Sequence, residues 1–106
     1  MIAEPVYQSG PGGESQQAVV LAGNYLNKLS GEKIERECKD RLNEGCKRIV
    51  LDFSGTEVIN SIGISILLGI IDSAKSVGAE VFFADLNAGS AELFKTLGLT
   101  RHVTIV

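Results

Sequence analysis

Apolar residues at helical spacing predict three helices along the chain. In the first, Ile34, Cys38 and Leu42 recur every four positions among charged residues, which is the pattern of an amphipathic helix. The second pattern spans residues 61–77 and places five apolar side chains on one face: Ile64, Leu67, Leu68, Ile71 and Ala74. The third spans residues 89–97 and is expected to bury Leu93, Phe94 and Leu97.

Small and polar residues mark where these helices begin and end. Ser30 precedes the first pattern and is predicted to be its N-cap, because a serine oxygen can accept from a free amide of the first turn. Gly45, Gly78 and Gly98 each follow one of the three patterns, as glycines that terminate helices in the left-handed conformation do.

Short apolar runs between the helices predict strands. Residues 48–53 are apolar almost throughout, which is typical of a central strand covered on both faces, and residues 79–84 and 102–106 form two further strands. Residues 6–8 and 17–21 flank a loop rich in Gly and Pro and predict an N-terminal β-hairpin, whereas residues 54–60 are predicted to be a loop.

The resulting order, ββαβαβαβ, predicts an α/β fold. We expect a mixed sheet of four to five strands, with the β-hairpin at its start and parallel later strands joined by helical crossovers. A length of 106 residues favours one domain spanning 1–106, within which residues 1–15, the first strand and the Gly-rich loop, are expected to be the more mobile part.

Composition and charge exclude several classes of function. A net charge of -3 without any cluster of Lys and Arg argues against nucleic acid as a partner, because phosphate binding needs several cations on one face. The longest apolar run, residues 62–71, is too short to cross a bilayer, so no membrane insertion is expected. Residues 1–5 show no features of a secretory signal, and we expect a cytoplasmic protein.

Candidate catalytic groups are few. Cys38 and Cys46 lack zinc-site spacing and are expected to be reduced, packed thiols, and His102 is the only histidine, so neither a metal nor a cofactor is expected. Asp52 and Glu57, with Asp85, are the carboxylates that could do acid–base work, but none is paired at a recognisable spacing with a nucleophile or a metal ligand. The sequence therefore predicts a protein that is not an enzyme.

Ser61 is the residue that stands out as a candidate site. It lies at the start of a helix, after a central strand and a loop, where free backbone amides and the helix dipole favour negative charge. A phosphate on Ser61 would be stabilised there, although an unmodified serine in this position could equally be only an N-cap.

Several segments together resemble one known family. They are residues 48–54, Ser61 with Gly63, residues 67–69, residues 77–80 and residues 93–99. The order of these segments, over residues 19–106, resembles that of the STAS domain of bacterial anti-sigma-factor antagonists. The resemblance implies that Ser61 is phosphorylated by a serine kinase that is itself the anti-sigma factor, and that a phosphatase could reverse this.

The resemblance also implies a partner-binding surface around Ser61. Its predicted members are Asn27, Ser30, Asn60, Ser61, Ile62, Gly63 and Ser65. Three of them depart from the family pattern, since Asn27 and Asn60 replace aspartates and Ile62 replaces a serine or threonine. An amide keeps the hydrogen-bonding shape of a carboxylate but not its charge, so the alternative is a STAS scaffold or adaptor module that is never phosphorylated.

Overall fold

Residues 17–106 are described by a computed structural model, and they form an α/β structure with three helices. The strands are β1 (Gln17–Leu21), β2 (Tyr25–Leu26), β3 (Arg48–Asp52), β4 (Val58–Ile59), β5 (Glu80–Ala84) and β6 (Thr104–Ile105). The helices are α1 (Lys28–Asn43), α2 (Ser61–Ser76) and α3 (Ala88–Leu97), and a short 3₁₀ turn at Leu99–Arg101 follows α3.

The main sheet has the strand order β1-β3-β5-β6, and each neighbouring pair is parallel. Strand β3 therefore lies centrally, as its apolar run predicts. The later strands are parallel, as expected from strands that alternate with helices. The predicted hairpin places its first strand at residues 6–8, which lie outside the described residues, so β1 is observed here only through its parallel pairing with β3.

Strand β3 is covered less evenly than its apolar sequence predicts. Ile49 and Leu51 are buried, together with their register neighbours in β1 and β5, whereas Val50 and Asp52 on the other face are only half-buried. On β1, the same outer face carries the exposed side chains of Leu21 and Val19. The prediction that this strand is covered on both faces is therefore wrong for the described residues, which bury one face fully.

A second, two-stranded sheet joins β2 to β4 in parallel. Residues 54–60 were predicted to be a loop, and this is wrong for Val58 and Ile59, which pair with Tyr25 and Leu26. Two-residue strands carry no periodicity of their own, because alternation needs about four residues to be recognisable. Only their long-range pairing reveals them.

The core is one cluster centred on three aromatic rings. Phe53, Phe83 and Phe94 are buried, and their ring centroids lie 5.0 to 5.7 Å apart. At these separations aromatic pairs stabilise the fold by more than the burial of their apolar area alone. Phe94 ties α3 to the carboxyl ends of β3 and β5, so the loops that carry the candidate site rest on a packed base.

Two helices present different faces from those predicted. In α2, Ile70 is buried while Leu68 is exposed, and in α3 only Phe94 is fully buried while Leu93 and Leu97 remain partly exposed. For α2, the reason is that α1 packs closely against it, so its buried face is turned towards α1 and the sheet.

The helix ends and the cysteines agree better with their predictions. Gly45, Gly78 and Gly98 all have φ between 73° and 98°, the left-handed conformation that favours glycine. Cys38 and Cys46 are free and buried, and burial, helped by neighbouring glutamates, raises the pKa of the Cys38 thiol to about 12. Neither thiol is activated for chemistry.

Candidate phosphoacceptor and partner-binding site

The candidate site is built from two β–α junctions that lie side by side. Strand β2 leads through Asn27 into α1, and β4 leads through Asn60 into α2. The two strands pair in register, and the backbone N–H of Asn60 donates to the carbonyl of Leu26 at 3.0 Å. The first turns of α1 and α2 are therefore held next to each other at the same edge of the molecule.

Asparagine, not serine, caps both helices. The Asn27 Oδ1 atom accepts from the backbone N–H of Ser30 at 3.0 Å, and the Asn60 Oδ1 atom accepts from that of Gly63 at 2.8 Å. The predicted N-cap role of Ser30 is therefore wrong, and Ser61 is the first helical residue instead of a cap. Asparagine and serine are equally good caps, so the position along the chain decides which of them caps the helix. Both asparagines cap because they follow directly on a paired strand.

The hydroxyl of Ser30 both donates and accepts hydrogen bonds within the first junction. Its Oγ atom donates to the carbonyl of Tyr25 at 2.7 Å and accepts from the backbone N–H of Asn27 at 3.0 Å. Together with the Asn27 cap this forms a reciprocal capping box. Ser30 is half-buried, and its side chain fixes the junction between β2 and α1.

The hydroxyl of Ser61 has no hydrogen-bond partner within residues 17–106, and the residue is exposed. Its backbone carbonyl accepts from the Ser65 hydroxyl at 3.3 Å, which turns Ser65 back onto the helix. The first bond along α2 runs from the N–H of Ile64 to the carbonyl of Asn60, so the amides of Ser61 and Ile62 precede it. No acidic residue lies in this first turn.

Gly63 allows the two junctions to come this close. It is buried, and a Cβ atom in its place would lie 2.6 Å from the carbonyl oxygen of Leu26 and 2.9 Å from the Leu26 Cγ atom. A backbone oxygen cannot move aside without disturbing β2. Gly63 therefore sets the spacing between the junctions and offers no side chain to a partner.

Exposed apolar side chains flank the two caps. They occupy equivalent positions, two residues before each asparagine and two residues after it. The four are Tyr25 at 45%, Leu29 at 80%, Val58 at 50% and Ile62 at 47% exposure. We call these four residues the apolar flank. Ile62 thus lies outside the apolar face predicted for α2 and is exposed.

Three members of the apolar flank were missed by sequence reasoning. Leu29 carried a usable signal, because it lies off the face defined by Ile34, Cys38 and Leu42 and still is apolar. Tyr25 and Val58 carried none, since only the pairing of β2 with β4 brings them together.

The loops beneath the site are fastened by one buried threonine. Thr56 donates its hydroxyl to the carbonyl of Gly23 at 2.5 Å, and its own carbonyl accepts from the Asn87 side chain at 3.2 Å. Asn87 also caps α3 through the N–H of Ser90. Loops after three different strands are thereby joined, and the junctions stand on a rigid base.

The candidate catalytic carboxylates lie near this edge but do not converge on a nucleophile. Asp52 accepts from the backbone N–H of Ser54 at 2.8 Å, as in a turn, and Glu57 is exposed. Asp85 has φ of 59°, a conformation that aspartate tolerates better than most residues. Across residues 17–106, no three His, Cys, Asp or Glu side chains are grouped to hold a metal ion.

The chain belongs to the STAS domain family, which it matches over residues 18–106. Among curated proteins, it is 26% identical over 73 residues to a protein of Bordetella bronchiseptica that is provisionally named the anti-sigma factor antagonist BtrV. That match covers 69% of this chain and 63% of the relative, so the chain spans somewhat less than two thirds of the relative's length.

Solved structures share the fold. The crystal structure of TM1081 from Thermotoga maritima, likewise provisionally named an anti-sigma factor antagonist, gives a TM-score of 0.70 with 27% identity over 82% of this chain and 77% of that one. The STAS domain of a SulP transporter from Vibrio cholerae gives 0.72 with 18% identity, over 84% and 71% of the two chains.

A Bacillus structure connects the fold with a phosphorylated state. The cell fate determinant SpoIIAA in its phosphorylated form gives a TM-score of 0.66 with 17% identity, over 83% of this chain and 80% of that one. At this identity the likeness establishes the fold alone. The resemblance to the STAS family and the α/β fold with a largely parallel sheet are thus confirmed. No helix of the described part of the chain is long and apolar enough to span a membrane.

Proposed function

We propose that this protein is an anti-sigma-factor antagonist that acts in the cytoplasm, binds an anti-sigma factor through the surface around Ser61, and is switched off when that partner phosphorylates Ser61. The observation that carries the proposal is the contrast between two serines. The Ser30 hydroxyl is hydrogen-bonded to backbone groups, whereas the exposed Ser61 hydroxyl has no partner within residues 17–106. Binding, and not catalysis by this chain, is the proposed activity.

The position of Ser61 suits a phosphate. A kinase would transfer the γ-phosphoryl group of ATP to the Ser61 Oγ atom, with release of ADP and the hydroxyl proton. The product would lie at the start of α2, where the dipole and the amides of Ser61 and Ile62 favour an anion. Because Asn60 is neutral and the first turn holds no carboxylate, little nearby charge opposes the modification.

The apolar flank suits the docking of a protein. Tyr25, Leu29, Val58 and Ile62 present apolar area on both sides of Ser61, and apolar groups at the centre of an interface carry much of its free energy. The side-chain amides of Asn27 and Asn60 and the hydroxyl of Ser65 supply polar groups, whereas Ser30 positions the first junction. A phosphate adds about 1.5 to 2 negative charges, which would have to be desolvated within that contact.

The proposal is tested by capture from the native cell followed by reconstitution. Wild-type protein, Ser61→Ala and Ser61→Asp serve as baits, bound proteins are identified by mass spectrometry, and the purified partner is then incubated with ATP. We expect an anti-sigma factor to bind wild type and Ser61→Ala, and to phosphorylate wild type at Ser61. A loss of about 3 kcal/mol in Ser61→Asp would weaken binding more than a hundredfold.

Ser30→Ala is the matched control, because it removes a hydroxyl from the neighbouring junction. It should still be phosphorylated at Ser61. A partner that binds Ser61→Asp as tightly as wild type would show that charge at this position does not control docking.

A scaffold or adaptor module that is never phosphorylated is the second candidate. Two observations favour it: Asn27 and Asn60 stand where the family pattern has aspartates, and a transporter's STAS domain shares the fold. Asn60→Asp separates the candidates when the purified partner and ATP are added. The proposed function expects phosphate on Ser61 in wild type and in this variant, whereas a scaffold would bind its partner and remain unmodified in both forms.

A further inference from the structure

A cleft lies between the C-terminal half of α2 and the segment that leads into β6. It has a volume of about 260 Å³, and its polar walls are Lys75 from α2, Glu80 from β5, and Arg101, His102 and Thr104. A second cleft of about 370 Å³ adjoins it, because both are lined by Lys75 and His102. Lys75 follows Ser61 by fourteen residues along α2, which places it about 20 Å away.

The side chains of Lys75 and His102 are in contact at this cleft. The Lys75 Nζ atom lies 2.8 Å from the His102 Nδ1 atom. An ammonium group can only donate, and in the arrangement in which Nδ1 accepts from Lys75 the ring carries an N–H at Nε2. The N–H at Nε2 remains available as a donor to a further group.

Two positive charges at this cleft lack a carboxylate partner. The ion pairs Lys28–Glu32, Lys39–Glu35 and Arg41–Glu44 lie in α1 or at its C-terminal end. Lys75 forms none, although Asp72 and Glu80 line the two clefts, and Arg101 makes no hydrogen bond or ion pair with the described residues. Lys75 and Arg101, from separate elements, thus bring two positive charges to the first cleft against one carboxylate, Glu80.

We propose that this cleft binds the phosphate group of a small molecule. Guanidinium and ammonium groups are the usual phosphate ligands, and the His102 ring would add an N–H donor. At roughly 30 Å³ for each water, a volume of about 260 Å³ holds some eight waters, which leaves room for a small organic part beside the phosphate. This ligand site is separate from the Ser61 surface and does not depend on its function.

The test is an NMR titration of the full chain at constant pH and ionic strength. Because His102 is the only histidine, the signals of its ring protons are assigned without ambiguity. Inorganic phosphate and glycerol 3-phosphate are the two probes, and sodium chloride is the blank. We expect a saturable shift of the His102 signal, with at least fivefold weaker binding in Lys75→Gln and in Arg101→Gln.

Two further variants sharpen the result. Lys33→Gln removes the same charge from the exposed surface of α1 and should bind phosphate as wild type does. Glu80→Gln removes a negative charge from the lining of the cleft and should bind phosphate more tightly. Tighter binding of glycerol 3-phosphate than of phosphate identifies a phosphate ester as the ligand, and equal binding identifies the free ion. A shift that does not saturate, or an equal loss in Lys33→Gln, overturns the proposal.

Discussion

The two β–α junctions have the same backbone plan and use their serines in opposite ways. In each, a two-residue strand leads into an asparagine whose side chain caps the helix, and an apolar residue is exposed on either side. At the first junction, Ser30 completes a capping box. At the second, the equivalent capping position is Gly63, and the serine has moved to position 61, where its hydroxyl bonds to nothing in the described chain.

The difference shows how a fold can keep a hydroxyl free. A serine two or three residues further into the first turn would be drawn into the cap, because short polar side chains compete for backbone groups at helix starts. The close approach of Leu26 leaves space only for glycine at that position of α2. The packing of the first junction against the second therefore excludes a serine from position 63 of α2.

The largest expected effect comes from replacing Gly63, the buried glycine of the second junction. Gly63→Ala should lower the free energy of unfolding by about 1 to 3 kcal/mol, because its Cβ atom would meet the Leu26 carbonyl. Gly31→Ala is the control: its Cβ atom would meet the Cδ1 end of the Ile66 side chain, which can rotate away, and alanine favours helix by about 1 kcal/mol. Urea unfolding of both variants gives the comparison, and equal losses would contradict it.

A smaller effect distinguishes the two serines directly. Ser30→Ala should cost about 1 kcal/mol, since its hydroxyl bonds to Tyr25 and Asn27. Ser61→Ala should change the free energy of unfolding by less than about 0.5 kcal/mol, as expected for a surface group without partners. Chemical denaturation at one pH measures both, and a larger loss in Ser61→Ala would show that this hydroxyl has a structural role.

The smallest expected effect concerns charge at the caps. Asn60→Asp keeps the oxygen that accepts from Gly63 and adds a negative charge at the start of α2, which should stabilise the fold by about 0.3 to 1 kcal/mol. The dipole lowers the pKa of that carboxyl in the folded state, so the gain is present above a pH of about 4 and is lost as pH falls below it. Thermal unfolding from pH 7 to pH 3 measures this.

Asn27→Asp serves as the matched variant of the first junction, where the same gain is expected. A stabilisation that persisted at pH 3 would contradict the electrostatic explanation.

Much of this protein could be predicted from local sequence alone. The helices, the strands of the main sheet and the left-handed glycines follow from periodicity and from the conformational freedom of single residues, both of which act over a few neighbouring positions. The exposed Ile62 and the start of α2 at residue 61 follow in the same way. The prediction of an N-cap at Ser30 was wrong because Asn27 and Ser30 can both cap a helix, and local preference does not choose between them.

Tertiary structure alone decided which of two serines has a free hydroxyl, and how the apolar flank is assembled. Both depend on the pairing of β2 with β4, two strands too short to leave a pattern and separated by more than thirty residues. Hydrogen-bond competition at a helix start is settled by which groups come within about 3 Å of each other. Distances of that kind arise from contacts that are remote along the chain, and periodicity along the chain does not record them.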